Sequence, residues 1–479
     1  MVDASSLNRL SDWSNVNVCV VGFGVAGFSM ADALVQMDAQ VTVIDGGPRD
    51  VHDDKATLLE VLGAQFQFDN DHDLPDGMDL LVVSPGVKPD SSIIRKAHEQ
   101  SIPIWGELEL AWRLRDLETA PAWIAITGTN GKTTTTRMVQ SILSAKFGAD
   151  RVRVACNLDT PICEVVMDPS DIAIVAVEIG APHLPYVTSV APVVSICLNL
   201  APDHLDYFGT FEAYRDAKAR IYRNTEIAAI YNEQDEQTLR MVEQADVIEG
   251  CRAVSFTLSI PMKSMVGLVD DILVDRAFLD ERATSAIPII DLSELPSDAP
   301  HNVQNALAAI AITRAIGIEP GIIKDGLMKW QASPHRITKV AVVNDVTYID
   351  DSKATNTHAA FTAIRAFESV VWIAGGQAKG QDFDDLVIKC AGRLRAVVLL
   401  GIDQEVVAEA LARHAPHVPI HRVTSSEINA MDEVVRQCAQ MALPGDTVLL
   451  APGCASYDMF RDFGHRGDAF ADSVRRLVQ

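Results

Sequence analysis

Short apolar runs, each closed by glycine or a small polar cluster, alternate along this chain with stretches of helical period. Val16 to Val21 ends in Gly22-Phe23-Gly24-Val25-Ala26-Gly27; helical spacing follows through Met37, and a second run, Gln40 to Ile44, ends at Asp45. Leu80 to Val83 is closed by Ser84-Pro85-Gly86-Val87. Runs that are apolar at every position fit strands buried on both faces, and their alternation with helices predicts a parallel α/β sheet. Trp123 to Ile126, Ile172 to Val177 and Val193 to Leu198 predict the strands of a second sheet. A helix of mixed charge is expected from Phe211 to Tyr222, and an alanine-rich one from His301 to Ile316, with Gly317 where a C-terminal cap belongs. Val346 to Ile349, Val370 to Ile373, Ala396 to Leu400 and Thr447 to Leu450 predict a third sheet. Three of these runs end in the small-residue loops Gly375-Gly376, Gly401 and Ala451-Pro452-Gly453, as doubly wound sheets present a binding edge. Arg113 to Pro121 and Trp330 to Pro334 read as linkers, giving domains 1–116, 117–332 and 333–479.

A length of 479 residues fits roughly three domains, and an apolar fraction of 48% lets each bury a core. No apolar run approaches the ~20 residues of a membrane span, and Met1 to Asn15 lacks the basic and apolar regions of a signal peptide. Eight cysteines include no C-x-x-C pair, and Cys156 and Cys163 lack histidines at zinc-site spacing. Reduced, buried thiols in a cytoplasmic protein are the expectation. The net charge of −25 argues against a coating of nucleic acid. It leaves anionic small ligands open, since those are held by local cations and backbone amides.

Ile126-Thr127-Gly128-Thr129-Asn130-Gly131-Lys132-Thr133-Thr134 follows a predicted strand and opens a helix. Turn amides and a helix N-terminus then face one anion, with Lys132 for the β/γ-phosphates and the Thr133 hydroxyl for Mg²⁺. Ile126 stands where the usual G-x-x-x-x-G-K-[ST] pattern has glycine, so the loop belongs to a narrower set of ATP users. Gly22-x-Gly24-x-x-Gly27 with Asp45 matches the dinucleotide fingerprint. Its geometry specifies a diphosphate on a helix N-terminus, so a nicotinamide, a flavin or a nucleotide-diphosphate sugar fits equally. Glu178 and His204 follow neighbouring strands, where they can hold Mg²⁺ or, for His204, start a helix. Lys218 by spacing alone is a solvated helix lysine. His335-Arg336 and Asp350-Asp351-Ser352-Lys353-Ala354-Thr355-Asn356 offer acids for ribose hydroxyls and cations for phosphates.

Gly128-Thr129-Asn130-Gly131-Lys132-Thr133, His301-Asn302-x-x-Asn305, His335-Arg336 and Asp351-Ser352-Lys353-Ala354-Thr355-Asn356 occur in that order, and together they resemble the Mur ligases of peptidoglycan synthesis. The likeness covers nearly the whole chain. It implies a Rossmann-like UDP-binding first domain, a P-loop ATPase-like central sheet and a Rossmann-like third domain. The first-domain glycines and the Asp-Ser-Lys-Ala-Thr-Asn string resemble the members that add D-glutamate to UDP-N-acetylmuramoyl-L-alanine through an acyl phosphate and a tetrahedral intermediate. Carried over by position, Gly22, Phe23, Gly24, Val25, Gly27, Asp45, Ser84, Pro85, Gly86 and Asn157 would hold the UDP-substrate. Gly128 to Thr134, Asn302, Asn305, Arg336 and Asp351 would hold ATP. Thr355, Lys379, Ser456 and Phe463 would close round D-glutamate. Thr133, Glu178, His204 and Lys218 would serve two Mg²⁺ sites. Tyr214-x-x-Ala217-Lys218-x-x-Ile221-Tyr222 resembles the segment that carries a CO₂-carbamylated lysine, and a carbamate supplies the anionic oxygens an amine lacks. Lys132, Lys218, His204, Arg336 and Lys353 become the catalytic candidates, and a monomer without membrane insertion is expected.

One stretch departs from the likeness. After Glu178 the family usually carries Ser-Ser-Phe-Gln, and this chain has Ile179-Gly180-Ala181-Pro182-His183. Alternatives are another Mur-type ligase or a folylpolyglutamate-synthase-like ligase, a dinucleotide oxidoreductase using the first domain, and a non-catalytic ATP binder. No Asp-Asn-Pro-Arg string of the diaminopimelate-adding members occurs.

Overall fold

The computed structural model describes residues 6–70, 73–331, 335–424 and 430–477. Three sheets form in chain order. The first contains β1 (Asn17–Val21), β2 (Gln40–Ile44), β3 (Gln65–Gln67), β4 (Leu80–Val83) and β5 (Ile104–Gly106), in the order β3-β2-β1-β4-β5. All its pairings are parallel. The central sheet contains β6 (Ala122–Thr127), β7 (Val152–Cys156), β8 (Ile174–Glu178), β9 (Val194–Cys197), β10 (Ala228–Asn232), β11 (Arg252–Phe256), β12 (Met265–Val269), β13 (Ile272–Asp275) and β14 (Ile287–Asp291). Their order is β14-β13-β12-β11-β10-β9-β6-β8-β7, antiparallel only among β12, β13 and β14. The third sheet contains β15 (Thr338–Val343), β16 (Val346–Asp350), β17 (Val370–Gly375), β18 (Leu394–Leu400), β19 (Ile420–Arg422) and β20 (Thr447–Leu450), in the order β15-β16-β20-β17-β18-β19. The first two sheets fall in one compact unit, residues 1–200 with 212–331. The third falls in another, residues 201–211 with 332–479.

The strands are where the apolar runs place them because their side chains are buried on both faces: β1 from Val18 onward, all of β4 and all of β8. In each sheet the glycine-rich loop leaves a strand that has neighbours added on both sides, β1 in the first sheet and β6 in the second. At such a switch point the helices leave to opposite faces and open a crevice at the strand ends. Gly317 takes φ +80 just beyond the helix Pro300–Ala315, as its capping position requires.

Three expectations need correction. Arg113 does not begin a linker: it lies in the helix Glu107–Leu114 and pairs with the buried Glu109 carboxylate at 2.7 Å. The expected helix from Phe211 stops at Ala219 and tightens into a 3₁₀ turn, Arg220–Tyr222. The central sheet is also wider than the apolar runs alone indicate, because β10 to β14 extend it at one side. Of the expected second linker, residues 332–334 lie outside the described residues.

The helix Pro300–Ala315 carries Asn302 and Asn305, and a buried ion pair holds its far end. Arg314 Nε donates to Asp275 Oδ2 at 2.7 Å, while Asp275 Oδ1 accepts from the amides of Ala277 and Phe278. The Asp275 side chain is wholly buried. Removing one partner strands a charge in low dielectric. Arg314→Met is therefore expected to lower the stability of the first unit by about 3 kcal/mol, read as a lowered midpoint in chemical unfolding followed by far-ultraviolet circular dichroism.

In the other unit, His335 Nδ1 lies 2.6 Å from Asp350 Oδ2, and Asp350 Oδ1 accepts from the Ser352 amide. The Asp350 hydrogen bond raises the His335 pKa above the ordinary 6.5, with Asp468 and Asp462 adding to it. A histidine raised on folding stabilises fully below its unfolded pKa, and the contribution disappears as pH rises through the folded value. The thermal midpoint of this unit is expected to fall from pH 6.5 upward across that window, and His335→Gln is expected to flatten the dependence.

Candidate functional site

The turn between β6 and the helix Lys132–Phe147 is held open for an anion. Gly131 takes φ +83, and a Cβ there would stand 2.5 Å from Asn305 Oδ1, so only glycine fits. Asn199 braces the turn twice: its Oδ1 accepts from the Asn130 amide at 2.8 Å and its Nδ2 donates to the Asn130 carbonyl at 3.0 Å. The Thr129 hydroxyl is 2.9 Å from the Tyr214 hydroxyl, and Thr135 donates to Asn305 Oδ1 at 3.2 Å. Thr133 is half-buried on the first helical turn, and Thr134 is buried behind it. Asn302 Nδ2 donates to Ser297 Oγ at 2.9 Å, which ties the start of its helix to the preceding loop.

Two lysines converge on this turn. Lys132 Nζ donates to the Gly128 carbonyl at 2.8 Å and to the Thr129 carbonyl at 3.0 Å. Lys218 Nζ donates to the same Gly128 carbonyl at 2.9 Å and to Thr127 Oγ1 at 3.0 Å. Lys218 is 1% exposed, so the reading of a solvated helix lysine is overturned. Tyr214, one helical turn earlier, lies over it, with the amine 5.2 Å from the ring centroid. Tyr214, Ala217, Lys218, Ile221 and Tyr222 are all buried, which accounts for the spacing of that string.

Glu178 closes β8 and is 2% exposed. Its Oε1 accepts from Asn157 Nδ2 at 3.0 Å, and its Oε2 is buried without a hydrogen-bond partner. A buried carboxylate oxygen left unpartnered is costly unless a cation completes it. Asn157 also lines a cavity of about 620 Å³ together with Gly22, Phe23, Gly24, Asp45 and the Ser84-Pro85-Gly86 turn. The glycine loop packs tightly: a Cβ on Gly27 would stand 1.8 Å from the Gly22 carbonyl, which accepts from Ser84 Oγ at 2.8 Å. Asp45 accepts from the amides of Phe23 and Gly47, at 2.6 and 2.7 Å, so it braces the loop. Sequence reading missed Glu107, Cys156 and His183 in the same wall. Cys156 lacks a histidine at zinc-site spacing in the sequence, yet its Sγ lies 3.5 Å from His183 Nδ1, a partner 27 positions away that no local spacing reveals.

In the other unit, the loops after β16, β17 and β20 carry the remaining candidate residues. Lys353 Nζ stands 3.7 Å from the Phe463 ring centroid, and Lys379, at φ +52, points its amine at Tyr457. Burial pushes Asp351 up to about 8, against the lowering influence of Arg336 and a hydrogen bond from the Ile337 amide. Thr355 and Ser456 are held through their backbones, the Thr355 carbonyl by Gln381 and the Ser456 carbonyl by the Phe460 amide. Arg466, buried and also missed, clamps the loop from behind through Ser352 Oγ, the Ser352 carbonyl and the Cys454 carbonyl. His204, at φ +52, belongs to this unit and opens the short helix Leu205–Phe208, with its carbonyl accepting from the Tyr207 and Phe208 amides.

Family models match in chain order: a Mur ligase MurD-like N-terminal domain over residues 16–106, a Mur ligase middle domain over 126–313, and a Mur ligase glutamate ligase domain over 335–454. A UDP-N-acetylmuramoylalanine–D-glutamate ligase of Streptomyces avermitilis is 46% identical over 98% of this chain and 100% of its own. The enzyme of that name from Leifsonia xyli is 43% identical over 98% and 94%. MurF of Acinetobacter baumannii shares the fold, with a TM-score of 0.56 at 20% identity over 97% of this chain and 93% of that one. With three domain models in order and full-length relatives at this identity, the chain belongs to the Mur ligase family.

Proposed function

We propose that the chain is a cytoplasmic, ATP-dependent ligase that joins D-glutamate to UDP-N-acetylmuramoyl-L-alanine in peptidoglycan precursor synthesis. The observation that carries this is the pair of lysine amines on one carbonyl of the phosphate turn, in a chain nearly half identical to ligases named for that reaction. The γ-phosphoryl group passes to the L-alanyl carboxylate and ADP leaves. The D-glutamate amine then attacks the acyl carbon, loses a proton, and phosphate departs from the tetrahedral intermediate as the amide forms. A carboxylate must approach a phosphate of like charge, so most of the work is electrostatic.

The roles are those that the family resemblance implies. The turn amides from Gly128 to Thr134 cradle the phosphates, and Lys132 slides from its resting carbonyls onto the β/γ-oxygens. Asn305 keeps Gly131 in place, Asn302 fixes the neighbouring helix start, and Asp351 takes the ribose. Arg336 and Lys353 add positive charge at the γ-phosphate. The cavity walls at Gly22 to Gly27, Asp45, Ser84 to Gly86 and Asn157 take the UDP-substrate, with the glycine-rich turn against its diphosphate. Lys379, Thr355, Ser456 and Phe463 take D-glutamate, the lysine on a carboxylate.

The donors present fit Mg²⁺, because Glu178 offers a buried oxygen without a hydrogen-bond partner. Thr133, Glu178, His204 and, as a carbamate, Lys218 would hold it in two sites. Bound there it would offset the charge of the reacting phosphates. Carbamylation of Lys218 is supported by its burial beside the second amine, since two ammonium groups on one carbonyl repel each other and an anionic carbamate removes that repulsion.

Phosphate release from ATP and UDP-N-acetylmuramoyl-L-alanine is expected to rise with D-glutamate and not with L-lysine or diaminopimelate; the reverse result overturns the specificity. Lys132→Ala is expected to cost about 3 kcal/mol of transition-state stabilisation, roughly a hundredfold in rate, with the circular dichroism spectrum unchanged. Lys218→Ala is expected to lose activity and recover part of it with added short-chain carboxylates. Absence of rescue, together with an unmodified lysine mass in the native protein, counts against the carbamate.

A further inference from the structure

Glu107, Cys156 and His183 come from three separate elements. They are the first residue of the helix Glu107–Leu114, the last of β7 and the last of the turn Ala181–His183. Their ligand atoms all lie within 4.8 Å of one another. Cys156 Sγ is 3.5 Å from His183 Nδ1, and that nitrogen is 3.7 Å from Glu107 Oε2. All three residues line the cavity that also contains the glycine loop. His183 belongs to the segment where the chain departs from the family's Ser-Ser-Phe-Gln.

We propose that Cys156, His183 and Glu107 form a zinc site in the wall of the nucleotide-sugar cavity, with its fourth coordination position open to that cavity. In a tetrahedral site with Zn–S near 2.3 Å and Zn–N near 2.0 Å, sulfur and nitrogen stand about 3.5 Å apart, and the Cys156–His183 pair already has that separation. Glu107 is oriented for the purpose: its Oε1 accepts from the Ile162 amide at 2.9 Å, which leaves Oε2 to turn toward the other two donors. Capping the helix Ile162–Met167 accounts for Glu107 but not for the convergence of a thiol and an imidazole on the same carboxylate. Cys156 adopts φ +79, a left-handed conformation rare outside glycine, and from it directs sulfur at the imidazole.

Burial disfavours the charged form of each of the three groups. Burial pushes Glu107 up to about 7, His183 down to about 4 and the Cys156 thiol well above its usual value. A bound divalent ion reverses the penalty on the thiolate and the carboxylate and takes the imidazole in the neutral form it already has. Sulfur and nitrogen donors select zinc over Mg²⁺, which demands oxygen ligands, so this site and the one at Glu178 call for different ions.

The test uses the full chain, reduced and stripped of metal, with cobalt(II) and zinc(II) as probes. It does not depend on the ligase reading. A thiolate-to-cobalt charge-transfer band is expected in the near ultraviolet, displaced by zinc, lost in Cys156→Ser and weakened or shifted in His183→Gln. Cobalt at the Glu178 site has no sulfur ligand and gives no such band. Should the variants fail to fold, zinc is expected to protect Cys156 of the unaltered chain from alkylation, read by peptide mass spectrometry. No charge-transfer band in the unaltered chain, a band that persists in Cys156→Ser, or alkylation of Cys156 unaffected by zinc would each overturn the site.

Discussion

Two amines share one oxygen in this structure, and much of the central region is arranged around that fact. Lys132 reaches the Gly128 carbonyl from the helix that the turn opens, and Lys218 reaches it from the helix Phe211–Ala219, some ninety positions later. Two amines on one carbonyl place donors and positive charge where an anion in the turn would be stabilised. The surrounding features serve to keep that arrangement from relaxing. Asn199 locks the turn, Tyr214 covers the Lys218 stem, Asn305 leaves room only for glycine, and the Asp275–Arg314 pair fixes the helix that carries Asn305.

The same logic of preorganisation recurs at the wall of the glycine-loop cavity with a different device. There the loop is shaped by hydrogen bonds to acids and hydroxyls, Asp45 on the Phe23 and Gly47 amides and Ser84 on the Gly22 carbonyl. Glu107 and Glu109, on one helix, send their carboxylates into the central region, to the Ile162 amide and to the Thr188 and Ser189 amides. Each accepts hydrogen bonds that an isolated buried carboxylate would lack, so the helix following the first sheet is stitched to the elements around the second. The cavity between the glycine loop and Asn157 therefore has walls from both sheets of one compact unit.

The fold was legible because its strands are buried on both faces and write themselves as apolar runs. The ends of β6, β8 and β9 differ from the runs by a residue or two, and β20 matches its run. The strands β12 to β14 were not legible, since each is a short, partly buried run that contains Gly267, Asp275 or Pro288. Among the candidate groups, the phosphate turn was readable from local order alone. Lys218 was not: a lysine on a helix of mixed charge looks solvated, and only Tyr214 on the same face hinted otherwise. His183, Arg466 and Glu107 carry no local signal, because each acts through partners that only the folded chain brings near.

The order of the third sheet has a consequence for how the protein is made. β20 lies between β16 and β17, although nearly a hundred residues separate it in sequence from the first of them. Until residues Thr447 to Leu450 leave the ribosome, β16 and β17 have no shared neighbour, and the Asp350-to-Asn356 loop lacks both a strand beside it and the Arg466 clamp. A chain cut short by a few dozen residues thus carries the whole of the first unit's turn after β6 and glycine-loop cavity but an unassembled second unit. Quality control by proteolysis would see the defect there first, because unpaired strands and long-range closure are the last and slowest parts to form.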